Sequence, residues 1–343
     1  MSKASLLSAV SCVLEIKFEF QPLQRKATMS KSVNIVADIG GTNARFAYVH
    51  SDSSELLGIE IFPCADFTFL IDALNAYIER GHVEQVDQIC LAVAGPVESD
   101  WIDLPNNHWA FSRAELQESL ATHVTVINDF SAQVLSIDGL TSSELKWIGA
   151  ARPHGDQVKA VVGPGTGLGV SAMMPSGHIL PSEAGHIAFA PTSDHEADLL
   201  KILWQRYDRV SIERVLSGMG LANLYWANCV LDGHDRELPA SGVTAGAFAG
   251  DEYCGKAVSD FCAILGSVAG DVALMMGATD GVFISGGILP RLISLLDEQT
   301  FRQRFESKGR FSEICSEIPL GLVLSEHPGL SGCVEALRKG VRC

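Results

Sequence analysis

The sequence predicts an α/β protein built in two parts, and three observations carry that prediction. Apolar strands alternate with amphipathic helices along most of the chain, the pattern of sheets covered by helices. A glycine-rich turn follows a buried strand twice, once near the start of each part. The chain has 343 residues, more than one compact core accommodates.

Asn34 to Gly40 reads as a buried strand, and Arg45 to His50 as its partner across Gly40-Gly41. From Asp66 to Arg80, Phe67, Leu70, Ile71, Leu74 and Ile78 recur at helical spacing. Gln88 to Ala94 is a strand closed by Gly95-Pro96. Ser112 with Glu115 forms a capping-box pattern that opens a helix to Leu120. His123 to Ile127 is a strand ending in Asn128-Asp129, and the pattern then loosens over 138–156. Lys159 to Val162 starts the second part, and helices are expected over 194–207, 217–230 and 255–276. In the last, Val258, Phe261, Leu265, Val268, Val272 and Met275 form a core-facing stripe. Gly281 to Ser285 is a further strand, leading through Gly286-Gly287 to a helix near Pro290. The two parts share a plan that suggests duplication, although no fixed-period repeat is present.

Composition narrows the function classes. Hydrophobic residues make up 47% and charged residues 19%, which fits a filled interior. Against 41 Asp and Glu stand 25 Lys and Arg, a formal charge of −16, so a nucleic-acid or anionic-membrane surface is not expected. No segment offers 18 uninterrupted apolar residues, so no membrane span is expected either. The nine cysteines are odd in number and never spaced C-x-C or C-x-x-C. That disfavours a disulfide framework or zinc ribbon and suits a reduced cytoplasm. The stretch Leu6 to Leu14 is broken by serines, followed by Glu15, Lys17 and Glu19, and lacks a small-residue cleavage site. Residues 1–28 therefore read as an extension upstream of a second Met-Ser-Lys at Met29.

The turns carry the chemistry. Asp38-Ile39-Gly40-Gly41-Thr42-Asn43 lies between two strands, so it is a hairpin; a Walker loop or dinucleotide fingerprint needs a helix there. Its glycines admit a close ligand, and successive amides form an anion nest. Gly163-Pro164-Gly165-Thr166-Gly167-Leu168-Gly169, also between strands, reads as a second phosphate cradle. Ser285-Gly286-Gly287 sits at a strand-to-helix junction suited to phosphate or adenosine. Gly250 to Lys256 matches G-x-x-x-x-G-K but lacks the following Ser/Thr and a preceding strand, and is a chance match. Asn128-Asp129 ends a strand, where ligand groups gather, and an Asp there has the chemistry to take a hydroxyl proton. Glu183 with His186, and Glu213 opening a helix, add the acceptors and donors that a polyhydroxylated ligand needs. Glu183 and His186 also have metal-pair chemistry, but no third ligand accompanies them.

From Met29 onward, these motifs resemble the bacterial glucokinase family of actin-like, hexokinase-type ATPases. Asp38 to Phe46 resembles its first phosphate motif, Gly163 to Gly169 its second, and Gly281 to Arg291 its adenosine motif. Asn106 to Ser112, Ile127 to Phe130 and Glu213 to Gly218 resemble its sugar-domain signatures. The resemblance implies a two-domain actin-like (ribonuclease H-like) ATPase fold with a cleft. The small domain would be residues 30–139 plus 327–343, and the large domain residues 140–326. It further implies ATP-dependent phosphorylation of glucose to glucose 6-phosphate, with ATP and Mg2+ as cofactors and a homodimer as the assembly. By that resemblance Asp129 is the general base, and Asn128, Glu183, His186, Glu213 and Asn106 hold the sugar. Gly40, Gly41, Thr42, Asn43, Gly163, Gly165, Thr166, Gly167, Gly286 and Gly287 would hold ATP, and Asp38 would orient magnesium through water. The alternatives are a kinase for another hexose and a sugar-sensing protein of the same fold without turnover. The zinc-bearing repressor/open-reading-frame/kinase family is disfavoured, because Ile187 to Ala190 holds no cysteine where its metal motif would stand.

Overall fold

A computed structural model describes residues 32–341 apart from His82 and Glu84. The expected 1–28 extension, Met29 and residues 342–343 lie outside the described residues. The first part runs β1 Val33–Ile39, β2 Asn43–His50, β3 Leu57–Pro63, α1 Leu70–Arg80, β4 Val86–Val93, β5 Trp101–Asp103, β6 Ala110–Ser112, α2 Arg113–Leu120, β7 His123–Asn128 and α3 Asp129–Ser136. The second runs β8 Leu145–Trp147, β9 Lys159–Pro164, β10 Leu168–Met173, β11 Ile179–Ser182, α4 Asp194–Leu203, α5 Gly218–Leu231, α6 Ala240–Phe248 and α7 Glu252–Met276. It closes with β12 Gly281–Ile284, α8 Leu289–Leu292, α9 Glu298–Glu306, α10 Ser312–Glu317, β13 Leu320–Val323 and α11 Pro328–Lys339.

The first sheet has the order β3-β2-β1-β4-β7, and the second β11-β10-β9-β12-β13-β8. In each, three antiparallel strands lead into two parallel ones. Without the edge strand β8, the two orders are the same. The two parts therefore share a strand order that no sequence period reveals. The parallel strands are covered on both faces, which is why Cys90 to Val93 of β4 are all buried.

One face of the first sheet packs Ile35, Phe46 and Ile89 against Leu74 and Tyr77 of α1. The other packs Val36, Ala47, Cys90 and Ala92 against α3 and α11, through Leu135, Leu330 and Cys333. Val161, Met173 and Phe283 of the second sheet join the same cluster. Helices α3 and α11 thus fill the space between the sheets. They approach so closely that Gly332 of α11 meets the Ala132 carbonyl with no room for a Cβ. The second sheet's far face is covered by a core that includes Leu199, Leu224, Phe261, Leu265 and Phe301. Helix α7 is long and apolar enough by composition to cross a membrane, but 67% of its apolar window is buried in this core.

Several elements depart from expectation. Helix α1 starts at Leu70, not Asp66. Phe67 stays extended with its ring stacked on Phe62, and its carbonyl accepts from Trp109 Nε1 at 3.1 Å. Ser112 accepts from the Glu115 N–H at 3.1 Å, but its hydroxyl donates to Asp100, which also takes the Ala114 N–H at 2.9 Å. Asp100 thus shares the capping that the sequence assigned to Glu115. Helices α3 and α6 were not expected, α4 ends at Leu203, and the helix at Pro290 is a single turn. Met275 leaves the α7 stripe, 54% exposed beyond the neighbours that cover the other five positions. Gly255 and Lys256 lie inside α7, which removes any phosphate-loop geometry there.

Candidate active site

The first hairpin closes with Ile39 opposite Ala44, and the Gly40 N–H donates to the Asn43 carbonyl at 3.0 Å. Gly41 and Thr42 are exposed at its tip. Neither Gly40 nor Gly41 takes a left-handed conformation. Glycine at 41 answers a close approach instead, since a Cβ would stand 2.7 Å from the Asn106 carbonyl. Asn106 therefore backs this hairpin with its main chain, while the neighbouring Asn107 amide donates to the Gly40 carbonyl at 3.0 Å.

Asp38 lies one residue before the end of β1, beneath that turn. Arg45 Nη1 lies 3.4 Å from its Oδ2, and the start of α11 presses from behind, with a Cβ on Gly329 placed 2.7 Å from Asp38 Cγ. Burial pushes the Asp38 carboxyl above its ordinary value, against the pull of Arg45 and His327. Among the described residues, no three His, Cys, Asp or Glu side chains gather to cage a metal. One carboxylate beside a phosphate-sized turn suits Mg2+, which takes one or two carboxylates and fills its shell with water and phosphate oxygens.

Asn128 caps α3. Its Oδ1 accepts from the N–H groups of Phe130 at 2.9 Å and Ser131 at 3.2 Å, and its Nδ2 donates to the Gly95 carbonyl at 3.4 Å. Asp129 is then the first helical residue, half-buried, with Oδ1 accepting from Phe130 N–H at 3.0 Å. Its carboxyl is pushed up to about 6, chiefly by burial and then by the charges of Asp38 and, less, Glu183. That mutual influence brings Asp38, Asp129 and Glu183 into one electrostatic neighbourhood.

Phe130 ties Asp129 to the second hairpin. Its ring occupies the space where side chains on Gly163 and Gly169 would project. Gly163 is thereby buried within β9, apart from the exposed tip at Thr166. In the tip the Gly165 N–H donates to the Gly167 carbonyl at 2.8 Å. Alongside, Gly286 has φ +90 and a Cβ position 2.5 Å from the Pro164 carbonyl, so both conformation and space demand glycine. Gly287 stands exposed next to it. Helix α8, with four residues, is too short for the N-terminal field expected there.

Glu183 precedes, and His186 ends, a 3-10 turn after β11, both exposed, with 4.0 Å between Oε2 and Nε2. Glu213 sits in a 3-10 turn, Ile212–Arg214, instead of opening a helix, and its Oε2 accepts from the Leu168 N–H at 2.9 Å. The structure therefore places Asp129 between the hairpins, Asp38 in the first, and Glu213 against the second. Sequence reasoning missed Asn107, Phe130 and Gly329. Asn107 and Phe130 stand inside the Asn106 to Ser112 and Ile127 to Phe130 motifs without a role of their own, and Gly329 acts through a contact that no local pattern announces.

A family model described as Glucokinase matches residues 35–340. The glucokinase of Chromohalobacter salexigens is 42% identical over 308 residues, 88% of this chain and 97% of that protein. That of Hahella chejuensis is 41% identical over 89% of this chain and 96% of that one. The crystal structure of a glucokinase from an Antarctic psychrotroph superimposes with a TM-score of 0.82 at 37% identity, covering 90% of this chain and 99% of that one. The fold shared with that structure is the actin-like ATPase fold.

Proposed function

The chain belongs to the glucokinase family and is a hexose kinase, and from that premise we propose that Asp129 is the general base for transfer of the ATP γ-phosphoryl group to glucose. The observation that carries this reading is the position of Asp129-Phe130, with the carboxylate facing Asp38 of one hairpin and the ring seated on the glycines of the other. That position supports a base lying between the acceptor hydroxyl and the phosphate-binding turns.

In the proposed mechanism, Glu183, His186, Glu213, Asn128 and Asn106 hold the sugar hydroxyls, and the Asn106 main chain also backs the first hairpin. Amides and hydroxyls of Gly40 to Asn43, Gly165 to Gly167 and Gly286-Gly287 hold ATP. Gly163 serves this site by admitting the Phe130 ring. Asp38 would hold Mg2+ through water, and the ion would supply charge neutralisation at the phosphate oxygens. Closure of two lobes, residues 30–139 with 327–343 and residues 140–326, brings the sugar hydroxyl into line and excludes water. Asp129 takes the hydroxyl proton as the oxygen–phosphorus bond forms and ADP leaves. The carboxyl at about 6 is ionised at neutral pH yet basic enough to accept that proton. A homodimer in the cytoplasm completes the reading; the seven described cysteines, all free and buried, accord with a reducing compartment.

The test is ADP release by the purified protein with glucose set against other hexoses, for the parent and Asp129→Ala. Glucose gives the highest kcat/KM, and the variant loses about 10²–10⁴-fold in kcat with nucleotide binding kept. Near-normal turnover by the variant removes Asp129 from the role.

A further inference from the structure

The segment from Val210 to Gly218 is bonded at one end to the turn that carries Glu183 and His186. The Phe189 N–H donates to the Val210 carbonyl and the Ile212 N–H to the Ile187 carbonyl, both at 2.9 Å, and Arg209 Nη2 donates to the His186 carbonyl at 2.7 Å. At its other end the same segment grips the second hairpin from both sides. The Leu168 N–H donates to Glu213 Oε2 at 2.9 Å, and the Gly218 N–H to the Gly165 carbonyl at 2.8 Å. Between these points the segment is stiff. Ser217 Oγ donates to the Glu213 carbonyl at 2.7 Å and accepts from the Gly220 N–H at 3.0 Å, capping α5. The Glu213 carboxylate fills the space beside Gly167, 2.5 Å from where a Cβ would stand.

A glycine-rich tip has much conformational freedom to lose when it orders around a ligand. An ionised acceptor fixed to the Leu168 N–H removes part of that freedom beforehand, and charge-assisted bonds are the stronger kind. The carboxylate has two oxygens, so one can hold Leu168 while the other meets a sugar hydroxyl. Resting on the sugar role given to Glu213 above, we propose that Glu213 is also a positioning residue for the nucleotide, and that the 210–218 segment couples sugar occupancy to nucleotide affinity. Coupling of this kind is reciprocal, so each ligand tightens the other by the same factor.

The experiment measures, by calorimetry, the Kd of a non-hydrolysable ATP analogue with Mg2+, without and with glucose, and the Kd of glucose itself. In sugar-free protein, Glu213→Ala weakens the analogue about 5-fold, in line with the net worth of one hydrogen bond within the protein, and glucose no longer tightens it. Glu213→Gln keeps an acceptor oxygen and stays within about twofold of the parent without sugar. Gly167→Ala, although it changes the nucleotide hairpin, raises the glucose Kd by displacing the carboxylate. These last two variants keep the test decisive when the first does not fold. Weaker glucose binding in Glu213→Ala with unchanged sugar-free analogue affinity overturns the positioning role and leaves the sugar role standing. Weaker analogue binding with unchanged glucose affinity does the reverse. Tighter analogue binding overturns the proposal, since the carboxylate then acts on phosphate by repulsion alone.

Discussion

Asp129→Asn should stabilise the protein while silencing it. In the folded chain the carboxyl is pushed up to about 6 from an ordinary 3.8, because burial and the Asp38 and Glu183 charges disfavour its ionised form. A carboxyl raised in this way favours folding while it is neutral, below 3.8. That advantage is lost as pH rises through 6, and above pH 7 the fold carries an ionised group it would rather hold neutral. The shift corresponds to about 3 kcal/mol, and screening by solvent at a half-buried site brings it to about 2 kcal/mol. An Asn side chain is neutral at every pH, and its oxygen can still accept from the Phe130 N–H that Asp129 takes at 3.0 Å. At pH 7.5 the variant should therefore be more stable by about 2 kcal/mol, or about 3 °C in Tm for a chain of this size. At pH 5 the advantage should shrink to about half, because the folded carboxyl is by then mostly neutral. Calorimetric melting of ligand-free, EDTA-treated parent and variant from pH 5 to 7.5 reads both quantities. A variant less stable than the parent at pH 7.5, or a difference flat across that range, refutes the reasoning.

Other perturbations test the packing around the site. Gly169→Ala drives a methyl group into the Phe130 ring; we expect a loss of about 2 kcal/mol and a fall in kcat, because the ring belongs to the residue after Asp129. Unchanged melting and turnover would show that the ring has space to move. Gly332→Ala sets a Cβ against the Ala132 carbonyl of α3, a main-chain atom that cannot rotate away, and should cost about 3 kcal/mol by urea denaturation. A cost below about 0.5 kcal/mol would contradict the close approach of α3 and α11. Ser112→Ala removes the N-cap of α2 and should cost about 1 kcal/mol with kinetics untouched, so altered kinetics would contradict its placement outside the site.

What the sequence revealed followed the range of the interactions involved. The two hairpins were legible because glycines between alternating strands are a local signal, as were the strand ending at Asn128 and the stripe on α7. Helix α3 was not, because its eight residues follow the strand without a break and Asn128 serves as both strand end and cap. Helix α6 lacks an apolar stripe, with only Val243 fully buried. The reason for Gly163 and Gly169 is an aromatic ring more than thirty residues away, and the partner of Glu213 lies 45 residues upstream. Such pairings depend on the shape of the whole sheet, which residue type and spacing do not encode locally. The glycines at 41 and 167 were read as parts of phosphate cradles, and the structure also sets each against a neighbour, the Asn106 carbonyl and the Glu213 carboxylate, that leaves no room for a Cβ.

Helix α11 joins a sheet whose first strand, β1, precedes it by about 290 residues. At translation rates of about 5–20 residues per second, β1 and β4 wait on the order of 15–60 s for the helix that covers Val36, Cys90 and Ala92. During that interval the nascent sheet shows an apolar face to the cell, and Asp38 lacks the backing of Gly329. Helix α11 is thus made long after the surface it seals, and ribosome-associated chaperones have that interval in which to shield it.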